Sequence, residues 1–141
     1  MTDRSRGDDP RPLELGGAGT DLRRSLVEAV LRGRKTATAS LRIEYEPHTA
    51  EALPRAGERF TMLDVDDEPI GLVETISINV VSACDVDLAF ALDEGEGFVT
   101  VAEWRAAHEQ FWIDTGIIEE LTDEALVVCE RFRLVERAEE E

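Results

Sequence analysis

The segment from Ile70 to Val81 constrains the fold more than any other part of this chain of 141 residues. Its sequence, IGLVETISINVV, alternates apolar side chains with small or polar ones and is rich in β-branched residues, which is typical of a β-strand. The run DDEP (Asp66 to Pro69) predicts a tight turn before it, and Phe60 to Val65 predicts the partner strand of a hairpin. A further strand rich in Val, Leu and Phe is predicted from Ala125 to Val135.

Two helices and one more extended segment are predicted around these strands. A helix from Asp21 to Arg32 would begin after Thr20, which is a suitable N-cap. A Thr-Glu capping box predicts a second helix from Val101 to Ile113, and the alternation from Thr36 to Ile43 suits extended chain. The order of these elements predicts an α+β fold, with a small mixed β-barrel flanked by helices.

The ends of the chain and its apolar content set the expected boundaries. Residues 1 to 19 are predicted to form a flexible tail, residues 20 to 137 the domain, and residues 138 to 141 an acidic end. No apolar run approaches the ~18 to 20 residues of a transmembrane helix, and the N-terminus lacks the apolar region of a secretory signal. Cys84 and Cys129 lack metal-ligand spacing and are expected to be reduced core residues, so we expect a cytoplasmic location without membrane contact.

The charge is unevenly distributed, which limits the possible partners. The formal net charge is −17, yet residues 1 to 60 carry 11 Lys and Arg against 10 Asp and Glu. Within residues 22 to 42, six cationic residues stand against Glu28 alone. Because a strongly acidic protein repels long phosphate polymers, we expect a local basic site for a short RNA, a nucleotide or a nucleoside. The oligomeric state is left open.

Lys35 is the only lysine of the chain, whose other cations are arginines. Lysine, unlike arginine, can lose its proton when desolvated and then act as a base or nucleophile. A composition that favours arginine would also leave a stray lysine by chance. Thr36, Thr38 and Ser40 follow it; in a regular strand they face away from Lys35, whereas an initial helical turn would let Lys35 and Thr38 face one cavity. Both arrangements remain open.

Glu74 lies in the phase of the long strand that is otherwise almost wholly apolar, so it is expected to point inward. A buried carboxylate needs a cationic or hydrogen-bonding partner, and a Lys or Arg near residues 33 to 36 is the obvious candidate. A one-residue bulge that turns Glu74 outward, or a purely structural ion pair, are the alternatives.

The second helix carries an aromatic stripe, which could stack bases but is more typical of a packed core. Its members are Trp104, His108, Phe111 and Trp112. Neither His48 nor His108 has a second His or Cys at metal spacing, and Glu94 and Glu96 lack the pattern of an EF-hand. No metal and no cofactor are therefore expected.

Taken together, the chain resembles the ASCH domain family over roughly residues 20 to 137. The similar segments are GRKTATASL, PRAGERFTMLDVDDEPIGLVETISI, FALDEGEGFVTVAEWRAAHEQFW and ALVVCERFRLVER. The resemblance implies a fold similar to PUA domains, a small β-barrel with flanking helices and a central cleft. It also implies RNA binding, which is proposed for the family. Some members are implicated in RNA cleavage, and a small bacterial relative, shorter than this chain, removes the acyl group from N-acetylated cytidine.

The resemblance further implies a site. The catalytic lysine and threonine of that amidohydrolase lie in a segment matched by Lys35 and Thr38, and its glutamate in a stretch matched by Glu74. Arg34 would hold a phosphate or a carbonyl oxygen. The other residues expected to bind substrate are Thr36, Ser40, Arg42, Trp104 and Arg105. The role of residues 94 to 97 is left open.

Three functions are compatible with these features. In a small hydrolase, acting on RNA or an N-acylated nucleoside, Lys35 would be the base or proton shuttle, Thr38 the nucleophile or water positioner, and Glu74 the residue that orients the lysine. In a non-catalytic RNA-binding module, Lys35 and the arginines would only contact phosphates. In a protein-interaction domain, the acidic C-terminal half would bind a partner.

Overall fold

Within residues 10 to 138, the part of the chain that the structure describes, five β-strands form one curled sheet. In this computed structural model they are β1 (Arg11–Leu13), β2 (Ala37–Leu41), β3 (Arg59–Leu63), β4 (Pro69–Ser82) and β5 (Leu126–Arg137). The strand order is β1-β3-β4-β5-β2; β1 runs parallel to β3 and the other neighbours are antiparallel. The sheet closes only part of a barrel, so one side of it remains open to helices and loops.

Three α-helices flank the sheet in the same part of the chain. They are α1 (Asp21–Leu31), α2 (Leu88–Asp93) and α3 (Val101–Asp114). Each begins after a residue whose side chain accepts a hydrogen bond from the first turn, namely Thr20, Asp87 and Thr100. Both predicted helices are therefore confirmed to within a residue, as is the α+β class.

The helices cover two separate parts of the core. Helix α1 packs Leu26 and Val30 against Phe60 and other side chains of the β1 end of the sheet. Helices α2 and α3 pack Phe90 and Trp104 against the β2 end. The space between these two clusters is where the cavity described below is found.

The prediction that the face of β4 carrying Glu74 points into the core is wrong. Val73 and Thr75 are buried, whereas Ile76 is 54% exposed and Val80 is 40% exposed. The pairing of β4 with β5 shifts register between Thr75 and Ser77, which leaves Ile76 as an extra residue in the ladder. Because both faces of β4 carry apolar side chains, the alternation alone could not identify the buried face.

The predicted N-terminal tail, residues 1 to 19, includes residues that are part of the folded domain. Strand β1 pairs with β3, and Leu15 is buried in the core beside α1. Residues 10 to 19 therefore belong to the fold. The rest of the predicted tail, residues 1 to 9, and the acidic end from residue 139 lie outside the described residues.

Arg23 shows how the N-terminal segment is held, and it corrects the expectation that this residue contributes to a basic patch. Its side chain is buried and donates to the carbonyl oxygens of Leu15 (3.0 Å), Gly16 (3.3 Å) and Asp64 (3.3 Å). It also forms an ion pair with Asp67 at 2.6 Å. One guanidinium thus links α1 to the N-terminal segment and to the turn between β3 and β4.

Two further predictions concern membrane-spanning helices and the two cysteines. Among residues 10 to 138, no helix has the length and apolar character needed to cross a bilayer. Cys129 is buried as predicted, but Cys84 is exposed rather than part of the core; both are free.

Replacing Arg23 with alanine is expected to lower the free energy of unfolding by about 2–4 kcal/mol, because three carbonyl oxygens lose their donor and a cavity is left in the core. Urea denaturation monitored by circular dichroism measures this. The matched control is Arg24→Ala at the adjacent exposed position, which should change stability by less than about 0.5 kcal/mol. Equal effects of the two substitutions would show that the buried network does not stabilise the fold.

Candidate functional site

The sole lysine of the chain lies inside the protein. Lys35, which follows the end of α1, is only 2% exposed. Its Nζ donates to the carbonyl oxygens of Ala37 (2.9 Å) and Glu94 (3.3 Å). It also contacts Glu94 Oε1 at 3.2 Å and Glu96 Oε2 at 2.8 Å. An ammonium has three protons and no acceptor, so these contacts use Lys35 fully as a donor.

The loop that carries Glu94 and Glu96 approaches Lys35 through its backbone. A Cβ atom on Gly95 would lie 2.2 Å from the carbonyl oxygen of Arg34, and the φ of Gly95 is +66°. Only glycine fits both the contact and the conformation. Because Gly95 lies against the chain at residues 34 and 35, the carboxylates on either side of it reach the lysine.

Glu94 is the centre of a network within the core. Its second oxygen, Oε2, accepts a hydrogen bond from Trp104 Nε1 at 2.6 Å and lies 3.2 Å from His108 Nε2. The other ring nitrogen of His108 lies 2.9 Å from the carbonyl oxygen of Trp104, so both nitrogens face acceptors. The rings of His108 and Trp104 stack, with 4.4 Å between their centroids. This arrangement favours a doubly protonated His108.

The pKa values of this network follow from burial and from its charges. Burial alone would raise the pKa of Glu94, but the hydrogen bond from His108 and the charge of Lys35 lower it to about 2. Burial alone would lower the pKa of His108, but the hydrogen bond and charge of Glu94 raise it above its usual value. Burial raises the pKa of Glu96, only partly opposed by Lys35. Glu96 is therefore the better proton acceptor of the two carboxylates.

Glu94, Glu96 and His108 also form a group whose oxygen and nitrogen atoms lie within 4.8 Å of one another. Carboxylate and imidazole are ligands for several divalent ions. The Lys35 ammonium already contacts both carboxylates, so a metal ion would have to displace it.

A cavity of about 690 Å³ borders the lysine. Lys35 and Thr38 both line it, which settles the question that the sequence left open. Other lining side chains used below are those of Ser40, Glu44, Tyr45, Phe111, Trp112 and Glu130. The cavity lies between the two core clusters, in the opening that the incomplete barrel leaves.

The cavity is acidic rather than basic. Among the described residues, its charged lining consists of three cations, Arg11, Lys35 and the protonated His108, and six carboxylates. All three cations are already paired: Arg11 contacts Glu51 and Glu58, at 2.8 and 2.9 Å, and His108 contacts Glu94. The carboxylates are Glu14, Glu44, Glu51, Glu94, Glu96 and Glu130.

The local basic site expected from residues 22 to 42 is therefore not formed as one surface. Arg23 is buried, Arg32 pairs with Glu28 on α1, and Arg42 donates to the carbonyl oxygen of Glu46. These side chains make structural contacts in different parts of the protein, so their positive charges do not form one binding surface.

Glu74 does not contact Lys35. It lies on the face of β4 away from the cavity and pairs with Arg59 (3.3 Å) and Arg133 (3.1 Å). This is the structural ion pair that was one of the two alternative interpretations. The place expected for Glu74 beside the lysine is taken by Glu94 and Glu96.

The residues expected to bind substrate separate into two groups. Ser40 lines the cavity and shares a hydrogen bond of 2.7 Å with Tyr45, another lining residue, whose pKa burial raises to about 12. Arg34 is exposed and lines a smaller depression beside the 94–97 loop. The other predicted residues that are not part of the cavity lining are Thr36, Arg42, Trp104 and Arg105.

These four residues have structural contacts instead; that of Arg42 with Glu46 is described above. Thr36 is exposed and its backbone N–H donates to the carbonyl oxygen of Asp93. Trp104 is buried and holds Glu94, and Arg105 pairs with Asp123 at 2.8 Å.

Sequence reasoning missed the partners of Lys35. The EGEG segment carried the signal, because its two carboxylates flank a glycine and the segment was among the most distinctive parts of the resemblance. His108 was assigned to the aromatic stripe, of which His108, Phe111 and Trp112 line the cavity while Trp104 is buried in the core.

The curled half-barrel, its flanking helices and the cleft between them define a protein of PUA-like α+β fold. A family model for the ASCH domain matches residues 16–136. The chain belongs to the ASCH domain family.

Two solved structures are similar to this chain. The crystal structure of an ASCH domain from Lactobacillus crispatus JV V101 has a TM-score of 0.78 and 28% identity, covering 95% of this chain and 85% of that one. The crystal structure of a protein from Enterococcus faecalis V583 has a TM-score of 0.79 and 27% identity, covering 91% and 77%. A search of curated proteins gave no significant match.

Replacing Glu94 with glutamine is expected to lower the free energy of unfolding by about 3 kcal/mol near neutral pH, because it breaks a buried pair. The pKa of Glu94 is lowered on folding, so its contribution is present above pH 4.5 and is lost as the pH falls towards 2. The pKa of His108 is raised, so its contribution is present below pH 6.5 and is lost as the pH rises through the folded value.

The difference between wild type and Glu94→Gln should therefore be largest between pH 4.5 and 6.5. Urea denaturation across a pH series measures it, with Glu120→Gln, an exposed carboxylate, as the control with little effect. A difference that does not vary with pH would contradict the assignment of these charges.

Proposed function

We propose that this protein is a small hydrolase that removes the acyl group from an N-acylated nucleoside. The observation that carries the proposal is that Lys35 and Thr38 line one cavity, with the lysine buried between two carboxylates. A buried ionic cluster at the wall of a cavity is a common arrangement in catalytic sites.

The contacts of Lys35 suit a proton donor and an electrophilic contact. A substrate carbonyl oxygen at the cavity wall would replace one of the present acceptors of Nζ, such as the carbonyl oxygen of Glu94 at 3.3 Å. The hydrogen bond that it accepts would stabilise the negative charge that develops during hydrolysis. The same ammonium can then protonate the leaving nitrogen. Glu94 has the orienting role first expected for Glu74, since it fixes the position of Nζ.

Thr38 provides a hydroxyl on the same wall. It is half-buried in β2 and its side chain reaches the cavity. A threonine hydroxyl is a weak nucleophile without an adjacent base, so we assign Thr38 to holding the attacking water.

The size and lining of the cavity fit a nucleoside. Its volume of about 690 Å³ lies within the ~300–1,000 Å³ of typical small-molecule sites. Tyr45, Phe111 and Trp112 contribute to the lining, and such rings can contact the face of a base. The six carboxylates that line the described part of the cavity would repel phosphate, which favours an uncharged nucleoside over a nucleotide.

RNA is the second candidate substrate, because RNA binding is proposed for the family as a whole. The exposed guanidinium groups of Arg24 and Arg34 lie outside the acidic cavity and are available to phosphates. Binding of this kind would weaken steeply as salt is added.

The test incubates the protein with N-acetylated cytidine and, separately, with a short unstructured RNA, and follows products by mass spectrometry. Wild type should release acetate and cytidine. Thr38→Val and Lys35→Met should each lower kcat/KM at least about 100-fold, because each removes a group that acts on the reacting atoms.

Two matched variants serve as controls. Glu74→Gln and Arg34→Met alter residues that the sequence suggested but that lie outside the cavity, and should change kcat/KM by less than about threefold. RNA fragments whose formation is lost in Lys35→Met would make the protein a ribonuclease instead. Absence of products from both substrates, with salt-sensitive RNA binding, would favour the non-catalytic module.

A further inference from the structure

We propose that Glu130 is the general base of this site and activates the water that attacks the acyl group. The inference rests on the proposed hydrolase function and names the proton acceptor that this function requires. Lys35 cannot readily fill that role, because its contacts use it as a donor.

The strand register places Glu130 beside Thr38. The two residues are direct partners in the antiparallel pairing of β2 with β5. Side chains of such partners project from the same face of a sheet, with Cβ atoms ~4.5–5.5 Å apart. Both residues line the cavity. No hydrogen bond joins them among the described contacts, so one water molecule between them would complete the arrangement.

One oxygen of Glu130 is free to act in the cavity. The residue is only 6% exposed, and its Oε2 accepts a hydrogen bond of 2.6 Å from the Thr75 hydroxyl. Within residues 10 to 138, every fully enclosed side-chain oxygen and nitrogen has a hydrogen-bond partner, whereas Oε1 has none. Oε1 is therefore accessible to water, and Glu130 lines the cavity. Thr75 thus fixes one side of the carboxyl group and leaves the other for water.

Glu130 also forms no ion pair in the described part of the chain, although the positive charge of Arg11 lies near enough to lower its pKa. A buried carboxylate without an ion pair is unfavourable for folding, and such groups are concentrated at functional sites. Burial raises the pKa of Glu130, and the charge of Glu58 adds to this. The Thr75 hydrogen bond and the charge of Arg11 oppose the rise only in part. A base whose pKa is raised towards neutrality removes a proton from water more readily than an ordinary carboxylate.

The other carboxylates close to the reacting atoms are less suited to this role. Glu94 is held by Lys35, Trp104 and His108, and with a pKa of about 2 it is a weak base. Glu96 is engaged with the lysine that must donate. Glu44 already accepts the backbone N–H of Leu41.

The step balances without a further reactant. Water held between Thr38 and Glu130 gives one proton to Oε1 while its oxygen forms a bond to the acyl carbon. The bond from that carbon to nitrogen then breaks, and Lys35 gives a proton to the leaving nitrogen. The proton on Glu130 returns to Lys35 through solvent. The products are a carboxylic acid and the free amine.

Glu130→Gln keeps the size of the side chain and an oxygen for Thr75 but cannot take a proton. With N-acetylated cytidine as substrate, it should lower kcat at least about 100-fold and leave KM within about threefold. The acidic limb of the pH profile of kcat/KM, which reports protonation of the base, should disappear from the residual activity. Glu130→Asp, which retains a carboxylate, should restore part of kcat.

Glu74→Gln, which removes a carboxylate outside the cavity, is the matched control and should retain the wild-type kcat and pH profile. Near-UV circular dichroism checks that each variant keeps the native packing. Wild-type kcat with an intact acidic limb in Glu130→Gln would overturn the assignment while leaving the hydrolase proposal in place. Loss of that limb in Glu96→Gln instead would assign the base to Glu96. A wild-type protein that releases no acetate would overturn both proposals.

Discussion

The structure depends on one buried ammonium. Lys35 joins three parts of the chain: the end of α1, the start of β2 and the loop before α3. Two carboxylates inside a core would destabilise the fold without a positive charge beside them, and a lysine inside a core has the converse requirement. The ammonium and the carboxylates therefore stabilise each other inside the core. Because they lie at a cavity wall, the same charges can act on a bound ligand.

The curled sheet explains why this cluster borders a cavity instead of a packed core. Among the described strands, β2 pairs only with β5; α1 covers one part of the sheet while α2 and α3 cover another. The gap between them is lined by the hydroxyl side of β2. Thr38 and Ser40 therefore face open space, although an isolated reading of TATAS favours an ordinary strand surface.

The sequence predicted the helices, most strands and the importance of Lys35, because capping residues and alternation are local signals. It failed where a choice depended on distant residues. Both faces of β4 carry apolar side chains, and packing against α1 and the other strands decides which face is buried, so Glu74 was predicted to point inward and Val73 was not. The carboxylates that pair with Lys35 are 59 and 61 positions along the chain, beyond any local pattern. Glu130 lies in an apolar strand, the same signal that drew attention to Glu74.

The position of Lys35 has a consequence for the chemistry of the whole chain. Since it is the only lysine, the protein's single ε-amine is enclosed between carboxylates. Amine-directed reagents approach that nitrogen through the cavity and compete there with its carboxylate partners, so the rate of acylation follows the accessibility of the site. The molecule thus contains its own chemical reporter, which needs no introduced label and leaves the exposed surface without a competing side-chain amine.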